Sequence, residues 1–363
     1  MGRATGIGVY TRSLLLELAR AGDAEWLGLA HREVEFAGEL EAAGVQLEYQ
    51  PAPLGVIWQQ LALPKRLARG DIDLFWSPLL TLPRRLPVPG VVTIHDLATV
   101  LYPETQNLKV KWSLRPFLDS TVERAARVIA ISAAVGAEIE RHYPAARGRI
   151  EIVPNGVDPE FQPADAAAIR ATRERLGLPG GYVLYAGTIE PRKNLELLLD
   201  AWLGARAAQP SFPPLVLAGP PGWKSGGLER RLAGAQGRGV VRLGSLPRAE
   251  LVAALQAATV FVFPSLYEGF GLPAAEALAC GVPTIVSRTP SLVEVVGDAA
   301  AVVDPDDPED LAAVLLDLVA NPDLALRLAA AGPPRADLYR WDRAARRLRA
   351  IFAEVLAEAG WGR

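Results

Sequence analysis

Two successive series of short apolar runs, each run alternating with a longer helix-patterned segment, constrain the fold of this chain more than any other feature. In the first series the strand candidates are Trp26–Ala30, Val45–Tyr49, Leu74–Trp76, Val91–Ile94 and Val128–Ile131. Between them, apolar residues recur at helical spacing over Val9–Arg20, Ile57–Arg69, Leu108–Ala126 and Ala134–His142. Strands separated by helices pair in parallel, so this pattern predicts an α/β sheet with helices on both faces. The stretch Ile152–Asp165, "IVPNGVDPEFQPAD", then breaks the series with Pro, Asn, Gly and Asp, which favour turns for different reasons.

After a helix over Ala166–Leu176 and a break at Pro179-Gly180-Gly181, a second series begins. Its strands are Tyr182–Ala186, Leu215–Ala218, Val240–Leu243, Val260–Phe263, Thr284–Val286 and Ala301–Val303. Its helices fall near Leu195–Ala207, Leu228–Ala235, Arg248–Ala257, Ala274–Ala279, Pro308–Ala320 and Asp323–Ala331. At 363 residues the chain is long enough for two domains. The expected fold is therefore α/β, with two Rossmann-like domains over residues 1–160 and 161–340. A last helix, Asp342–Ala359, opens at Trp341, and the segment 341–363 is expected to return to the first domain. Ligands of open α/β sheets bind beyond the carboxyl ends of the strands, so two such sheets facing each other place the main site in a cleft.

The net charge of −3 gives no electrostatic footprint for nucleic acid. The single cysteine, Cys280, excludes an internal disulfide framework and sits in an apolar helical run, where a buried, inert thiol is expected. No apolar run reaches membrane-spanning length and the first residues lack a signal-peptide pattern, so a cytoplasmic setting is expected. Lys109, Lys111, Arg115, Arg124 and Arg127 give a modest basic tilt beside Trp112 and Phe117. That face is either solvated helix and core, or a weak contact with anionic lipid at the inner membrane surface.

Two strand-to-helix loops carry the chemistry. In "YAGTIEPRKNLELLLDAW", Arg192 and Lys193 stand just before a helix that Asn194 is placed to cap. Cations are disfavoured at a helix N-terminus by about 0.3–1 kcal/mol each, and an anion between them reverses the sign. Backbone N–H groups, dipole and two side chains then converge on a phosphate. In "FVFPSLYEGFGLPAAEALACGVP", Glu268-Gly269-Phe270-Gly271 links a buried strand to a helix with Pro273 in its first turn. The glycines let backbone N–H groups approach a ligand. Glu276, eight positions after Glu268, is read into the first helical turn, where a carboxylate is favoured; beside a phosphate site it also suits ribose hydroxyls. An acid/base pair of the glycosidase kind ranks below this, because the phosphate donors nearby point to a nucleotide. Asp71-Ile72-Asp73 spells a D-x-D, but it precedes its strand, the wrong end for a ligand, and reads as turn and cap; "DPDDPED" reads as loop and N-cap. No His/Cys/carboxylate ligand cluster appears, so no metal is expected. The fingerprint of nicotinamide-dependent dehydrogenases is missing, since "GIGVYT" lacks the third glycine.

"GTIEPRKN", "PSLYEGFGLPAAEALACGVPTIVS" and "SLVEVVGDAAAVVDPDD" resemble the C-terminal half of family 4 retaining glycosyltransferases, which have the two-Rossmann GT-B architecture. "TGIGVYTRSLL", "VTIHDLATVLYPE" and "RVIAISAAVGAEI" resemble the N-terminal half of the mannosyltransferase-like members. The resemblance covers nearly the whole chain and keeps the Glu-x7-Glu pattern as Glu268 and Glu276. It implies that Arg192 and Lys193 hold the donor diphosphate, that Gly269, Phe270 and Gly271 offer it N–H groups, and that Gly6 and Gly8 complete the phosphate pocket. It implies further that Glu276 binds the ribose, that Glu268 lies beside the transferred sugar, that backbone near Gly244, Ser245 and Leu246 borders the base, and that His95 reaches the sugar. For His95 the alternative is a structural histidine tying down a loop; Asp96 is expected to cap the segment that follows. The implied reaction moves a hexose from a nucleotide-diphosphate sugar to a glycan or lipid-linked acceptor, with no cofactor. GDP-mannose is the first expectation for the donor and a UDP-sugar the second. A nucleotide-sugar epimerase of the same fold, or a non-catalytic binding protein, are the rival readings. Family members usually carry a β-strand before the "TGIG" turn; without it the first sheet is expected to lack a central member and to expose a core edge, so either the start lies further upstream or the chain is truncated and impaired.

Overall fold

The computed structural model describes residues 6–103, 117–223 and 225–360. The chain divides into two compact units, Met1–Gly156 with Arg340–Arg363, and Val157–Tyr339. Within the second unit the Val157 N–H donates to the Tyr339 carbonyl at 3.0 Å, so the segments that enter and leave this unit are joined. Within the first unit Gly156 lies against Trp341: a Cβ on Gly156 would stand 2.3 Å from the Trp341 backbone nitrogen and 2.5 Å from its indole ring.

The first unit contains strands β1 (Leu27–Ala30), β2 (Gln46–Tyr49), β3 (Phe75–Ser77), β4 (Gly90–Ile94), β5 (Arg127–Ala130) and β6 (Ile150–Ile152). All pair in parallel, but in two pieces: a two-stranded sheet β1-β2 and a four-stranded sheet β3-β4-β5-β6. Among the described residues no strand pairs with the second edge of β1 or of β3. Strand β4 is buried throughout, whereas every residue of β1 is only half-buried. The helix Gly6–Arg20 buries Tyr10, Ser13, Leu14 and Leu18 on one face. The C-terminal helix Trp341–Glu358 packs on this unit: the Phe352 ring lies 6.0 Å from both Trp26 and Trp76, and Trp341 lies 6.0 Å from Tyr10. Of the expected helix Leu108–Ala126, residues 117–124 are helical, and Lys109, Lys111, Trp112 and Arg115 lie outside the described residues.

The second unit holds β7 (Val183–Ala186), β8 (Leu215–Ala218), β9 (Val240–Gly244), β10 (Val260–Phe263), β11 (Thr284–Ser287) and β12 (Ala301–Val303). They form one parallel sheet in the order β12-β11-β10-β7-β8-β9. Every residue of β7, β8, β10 and β11 is buried, as expected of a sheet covered on both faces. The chain builds outward from β7 to β9, then returns to the other side of β7 with β10. The strand order therefore reverses between β7 and β10, and in open α/β sheets a ligand binds beyond the carboxyl ends of the strands at such a reversal.

Replacing Gly156 by alanine is expected to destabilise the protein by about 1–3 kcal/mol, because its methyl group meets backbone and indole that cannot withdraw together. Urea denaturation of the variant against the parent checks this.

Candidate functional site

Both loops singled out in the sequence leave the strands at the reversal. The β7 loop runs through an extended Glu190 into a 3-10 turn, Pro191–Lys193, and reaches the helix Leu195–Ala208 through Asn194. Asn194 stands at the N-cap position, but in a left-handed conformation (φ 56°), and its side chain does not cap the helix. Its Nδ2 instead donates to the Pro305 carbonyl at 2.7 Å. The expected side-chain cap is thus replaced by a tie to the loop after β12.

Arg192 and Lys193 face the loop after β10. The Leu266 N–H donates to the Arg192 carbonyl at 2.9 Å, and Arg192 Nη1 donates to the Tyr267 carbonyl at 2.6 Å. Lys193 Nζ donates to Glu268 Oε1 at 2.5 Å and lies 5.0 Å from the centre of the Phe263 ring. Arg192 pairs with Glu268 at 3.5 Å and with Glu190 at 2.9 Å. Two carboxylates, Glu190 and Glu268, balance the two cations. Burial raises the Glu268 carboxyl, but Lys193 and Arg192 outweigh that and hold it below the usual carboxylate range. Glu190 goes the other way: burial lifts it above that range against the pull of Arg192 and Lys193.

The loop Glu268–Gly271 is anchored from below. Phe270 is buried, with its ring edge-on to Tyr339 at 5.2 Å. Ser291 Oγ donates to the Glu268 carbonyl at 2.6 Å. Gly271 has a φ of 97°, and a Cβ there would stand 2.3 Å from Leu292 Cδ2, so only glycine fits the entrance to the helix Leu272–Ala279. Because that helix starts at Leu272, Glu276 lies beyond its first turn, a correction to its expected position. The helix N-terminus is too far away to account for a carboxylate there. Glu276 is buried, 3.6 Å from Arg248 Nη1, with Asp158 and Glu160 nearby. Burial pushes its carboxyl up to about 8, Arg248 pulling against it and the two acidic neighbours adding to it.

Arg248 also pairs with Asp158 and Glu160 and lies over the Phe161 ring at 4.7 Å. Sequence reasoning missed both Arg248 and Glu190. The signal for Arg248 was present: it opens the helix Arg248–Gln256, the same misplaced cation that drew attention to Arg192 and Lys193. Leu246, expected near the base, is half-buried and packs against the core of the second unit. Gly244, which ends β9, accepts a hydrogen bond from the Gly219 N–H at 2.6 Å.

Gly6, Gly8 and His95 belong to the first unit. The glycines do not form a turn before the helix, as expected; they lie within its first turn, Gly6 exposed and Gly8 half-buried. His95 follows β4. Its Nε2 lies 2.8 Å from the Pro78 carbonyl, so Nε2 carries the proton, and its ring meets Tyr10 edge-on at 4.7 Å. Burial lowers its pKa and keeps it neutral. Asp96 accepts from the Ala98 N–H at 2.9 Å and caps the next segment. Asp71 pairs with Arg66 through two hydrogen bonds of 2.7 and 2.9 Å. Among the described residues no group of three or more His, Cys, Asp or Glu side chains is gathered as for a metal, and no helix is long and apolar enough to cross a membrane. Cys280 is buried, and burial pushes its thiol up to about 12.

Known proteins resemble this chain in sequence and fold. Residues 4–161 match Glycosyltransferase Family 4, and residues 169–335 match Glycosyl transferases group 1. O-antigen chain mannosyltransferase B of Escherichia coli is 32% identical over 357 residues, covering 93% of each chain. This chain belongs to the family 4 glycosyltransferases. A D-inositol 3-phosphate glycosyltransferase of Nocardiopsis dassonvillei is 33% identical across 76% of this glycosyltransferase and 67% of its own length. Anabaena HepE, solved with UDP and glucose, superposes with a TM-score of 0.75 at 19% identity, covering 97% of each chain, which establishes the GT-B fold.

For Glu276 the folded-state pKa lies above the unfolded one, so the protonated carboxyl favours the fold. That contribution is complete below about pH 4.5 and is lost as pH rises through about 8. The ligand-free protein is expected to lose thermal stability between pH 5 and pH 9, and Glu276→Gln to flatten that slope. Differential scanning fluorimetry across this range checks it.

Proposed function

We propose that this glycosyltransferase moves mannose from GDP-mannose to a hydroxyl of a growing glycan or lipid-linked acceptor at the cytoplasmic face of the membrane, with retention at the anomeric carbon. The observation that carries the reading is the pair Arg192 and Lys193, gathered with Glu268 beyond the carboxyl ends of the two strands where the sheet order reverses. This is where an open α/β sheet takes a nucleotide. The sugar and the acceptor class follow the Escherichia coli mannosyltransferase, which matches along nearly its whole length.

The donor diphosphate takes the place that Glu268 holds against the two cations. As the bond from the anomeric carbon to the β-phosphate oxygen breaks, negative charge grows on that phosphate. Arg192, Lys193 and the N–H groups of Gly269, Phe270 and Gly271 are fixed in advance to receive it, a stabilisation worth most in a site sheltered from water. The acceptor oxygen bonds to the same face of the sugar, and its proton passes to the departing phosphate. Glu276 receives the ribose hydroxyls, and backbone near Leu246 borders the base. Glu268, released from Lys193, faces the sugar. Two cations and the loop N–H groups neutralise a diphosphate without a divalent ion, so no metal is required.

Lys193→Ala is expected to lower turnover by about 100-fold or more while leaving the circular dichroism spectrum unchanged. Nucleotide release from GDP-mannose, UDP-glucose and UDP-galactose, with a crude lipid extract as acceptor and with EDTA, tests the assignment. Near-normal turnover in Lys193→Ala removes the diphosphate site, release only from UDP-sugars removes mannose, and loss of activity in EDTA removes metal independence.

A further inference from the structure

Glu190 has no part in the reaction described above, yet it is the most deeply buried charged side chain of the cluster. It is 3% exposed, against 10% for Glu268, 12% for Lys193 and 14% for Arg192. The charged and titratable groups that face it are the Arg192 guanidinium at 2.9 Å, Lys193, Glu268 and the phenol of Tyr185 on β7. Tyr185 keeps its proton, because burial raises it far above the usual range and its hydroxyl donates to the Thr188 carbonyl at 2.9 Å. What remains is two cations against two carboxylates, a balanced set.

A nucleoside diphosphate adds at least two negative charges to this set. Arg192 and Lys193 cannot turn to phosphate oxygens and also serve both carboxylates. A buried carboxylate stripped of its cation is unfavourable by several kcal/mol, and such a group neutralises itself instead. Glu268 belongs to the loop that meets the ligand and has the greater exposure. Glu190 lies beneath Arg192, closed off from water, with its carboxyl already lifted by burial. We infer that Glu190 takes up a proton from solvent when a nucleoside diphosphate binds to Arg192 and Lys193, which keeps the buried cluster near charge balance. The proton moves from solvent or buffer to a carboxylate oxygen of Glu190, and no bond to the nucleotide changes. Once protonated, Glu190 no longer needs the charge of Arg192, which is then available to the phosphate oxygens. On release of the diphosphate the proton returns to solvent. This inference rests on the diphosphate site proposed above.

Isothermal titration of the full chain with GDP, and separately with UDP, tests it at pH 8, where the free diphosphate is fully ionised. Buffers of low and high ionisation enthalpy, phosphate excluded, report the protons taken up on binding. The wild-type protein is expected to take up about one proton per nucleotide, with affinity falling about tenfold per pH unit above the titration of the ligand-free site. Glu190→Gln is expected to bind with little or no proton uptake, and Glu268→Gln to bind with uptake retained. Binding without uptake in the wild type, or unchanged uptake in Glu190→Gln, overturns the inference and leaves the diphosphate site standing. Uptake lost in Glu268→Gln but kept in Glu190→Gln moves the proton to the other carboxylate and overturns it equally. No binding of either nucleotide overturns the diphosphate site itself. Glu276→Gln, which removes the other carboxyl titrating near pH 8, is expected to keep both the uptake and the pH dependence, and loss of both there overturns the inference, so a Glu190→Gln protein that fails to fold does not remove the test.

Discussion

The ion-pair cluster of Glu190, Arg192, Lys193 and Glu268 is the interaction around which the rest of the second unit is arranged. Its cations come from the loop after β7 and one of its carboxylates from the loop after β10, so it forms only because those strands are neighbours. Arg192 is the staple: its backbone carbonyl and its guanidinium each bind the second loop. Without a ligand such a cluster adds little net stability, since desolvation of each ion offsets the attraction. Its value lies in specificity of position. The cations are held where the strand order of this sheet reverses.

The fold was legible in the sequence where apolar runs were long enough to bury both faces of a strand. The strands β7, β8, β10 and β11 are such runs, and each stands where its apolar stretch predicted. Strand β6 escaped notice because Ile150-Glu151-Ile152 is short, interrupted by a charge and adjacent to a turn-rich stretch. The helix Pro290–Val296 escaped for a similar reason: seven residues give too few turns for a periodicity to stand out. Much of the site was legible too, because Arg192 and Lys193 violate the preference of a helix N-terminus. What composition and spacing could not give was the partner of each charge. Glu268 lies 75 residues from Lys193, and only the order of strands in the sheet brings them together. The same holds for Arg248 and Glu276, which meet because the helices after β9 and β10 are both carried by that sheet.

Glu268 and Glu276, eight positions apart, thus occupy opposite electrostatic settings. Glu268 is surrounded by cations and stays ionised; Glu276 shares one arginine with Asp158 and Glu160 and is lifted toward neutrality. A carboxyl that is partly protonated can donate as well as accept a hydrogen bond, which suits vicinal hydroxyls that do both. Arg248 links this carboxyl to Asp158, immediately after the chain enters the second unit. The state of Glu276 is therefore tied to how that entry segment is held.

The divided sheet of the first unit has a mechanical consequence. In a continuous sheet, strand-to-strand hydrogen bonds carry the load from one edge to the other. Here none of the described ladders joins β1-β2 to β3-β4-β5-β6, and Phe352, touching Trp26 beside β1 and Trp76 on β3, is a side-chain bridge between the two pieces. The last helix is thus a splint rather than an appendage. Fraying of that helix would let two half-exposed parallel edges part, and unpaired edges of that kind recruit further strands. The helix that braces these strands is thus the segment furthest from them in sequence.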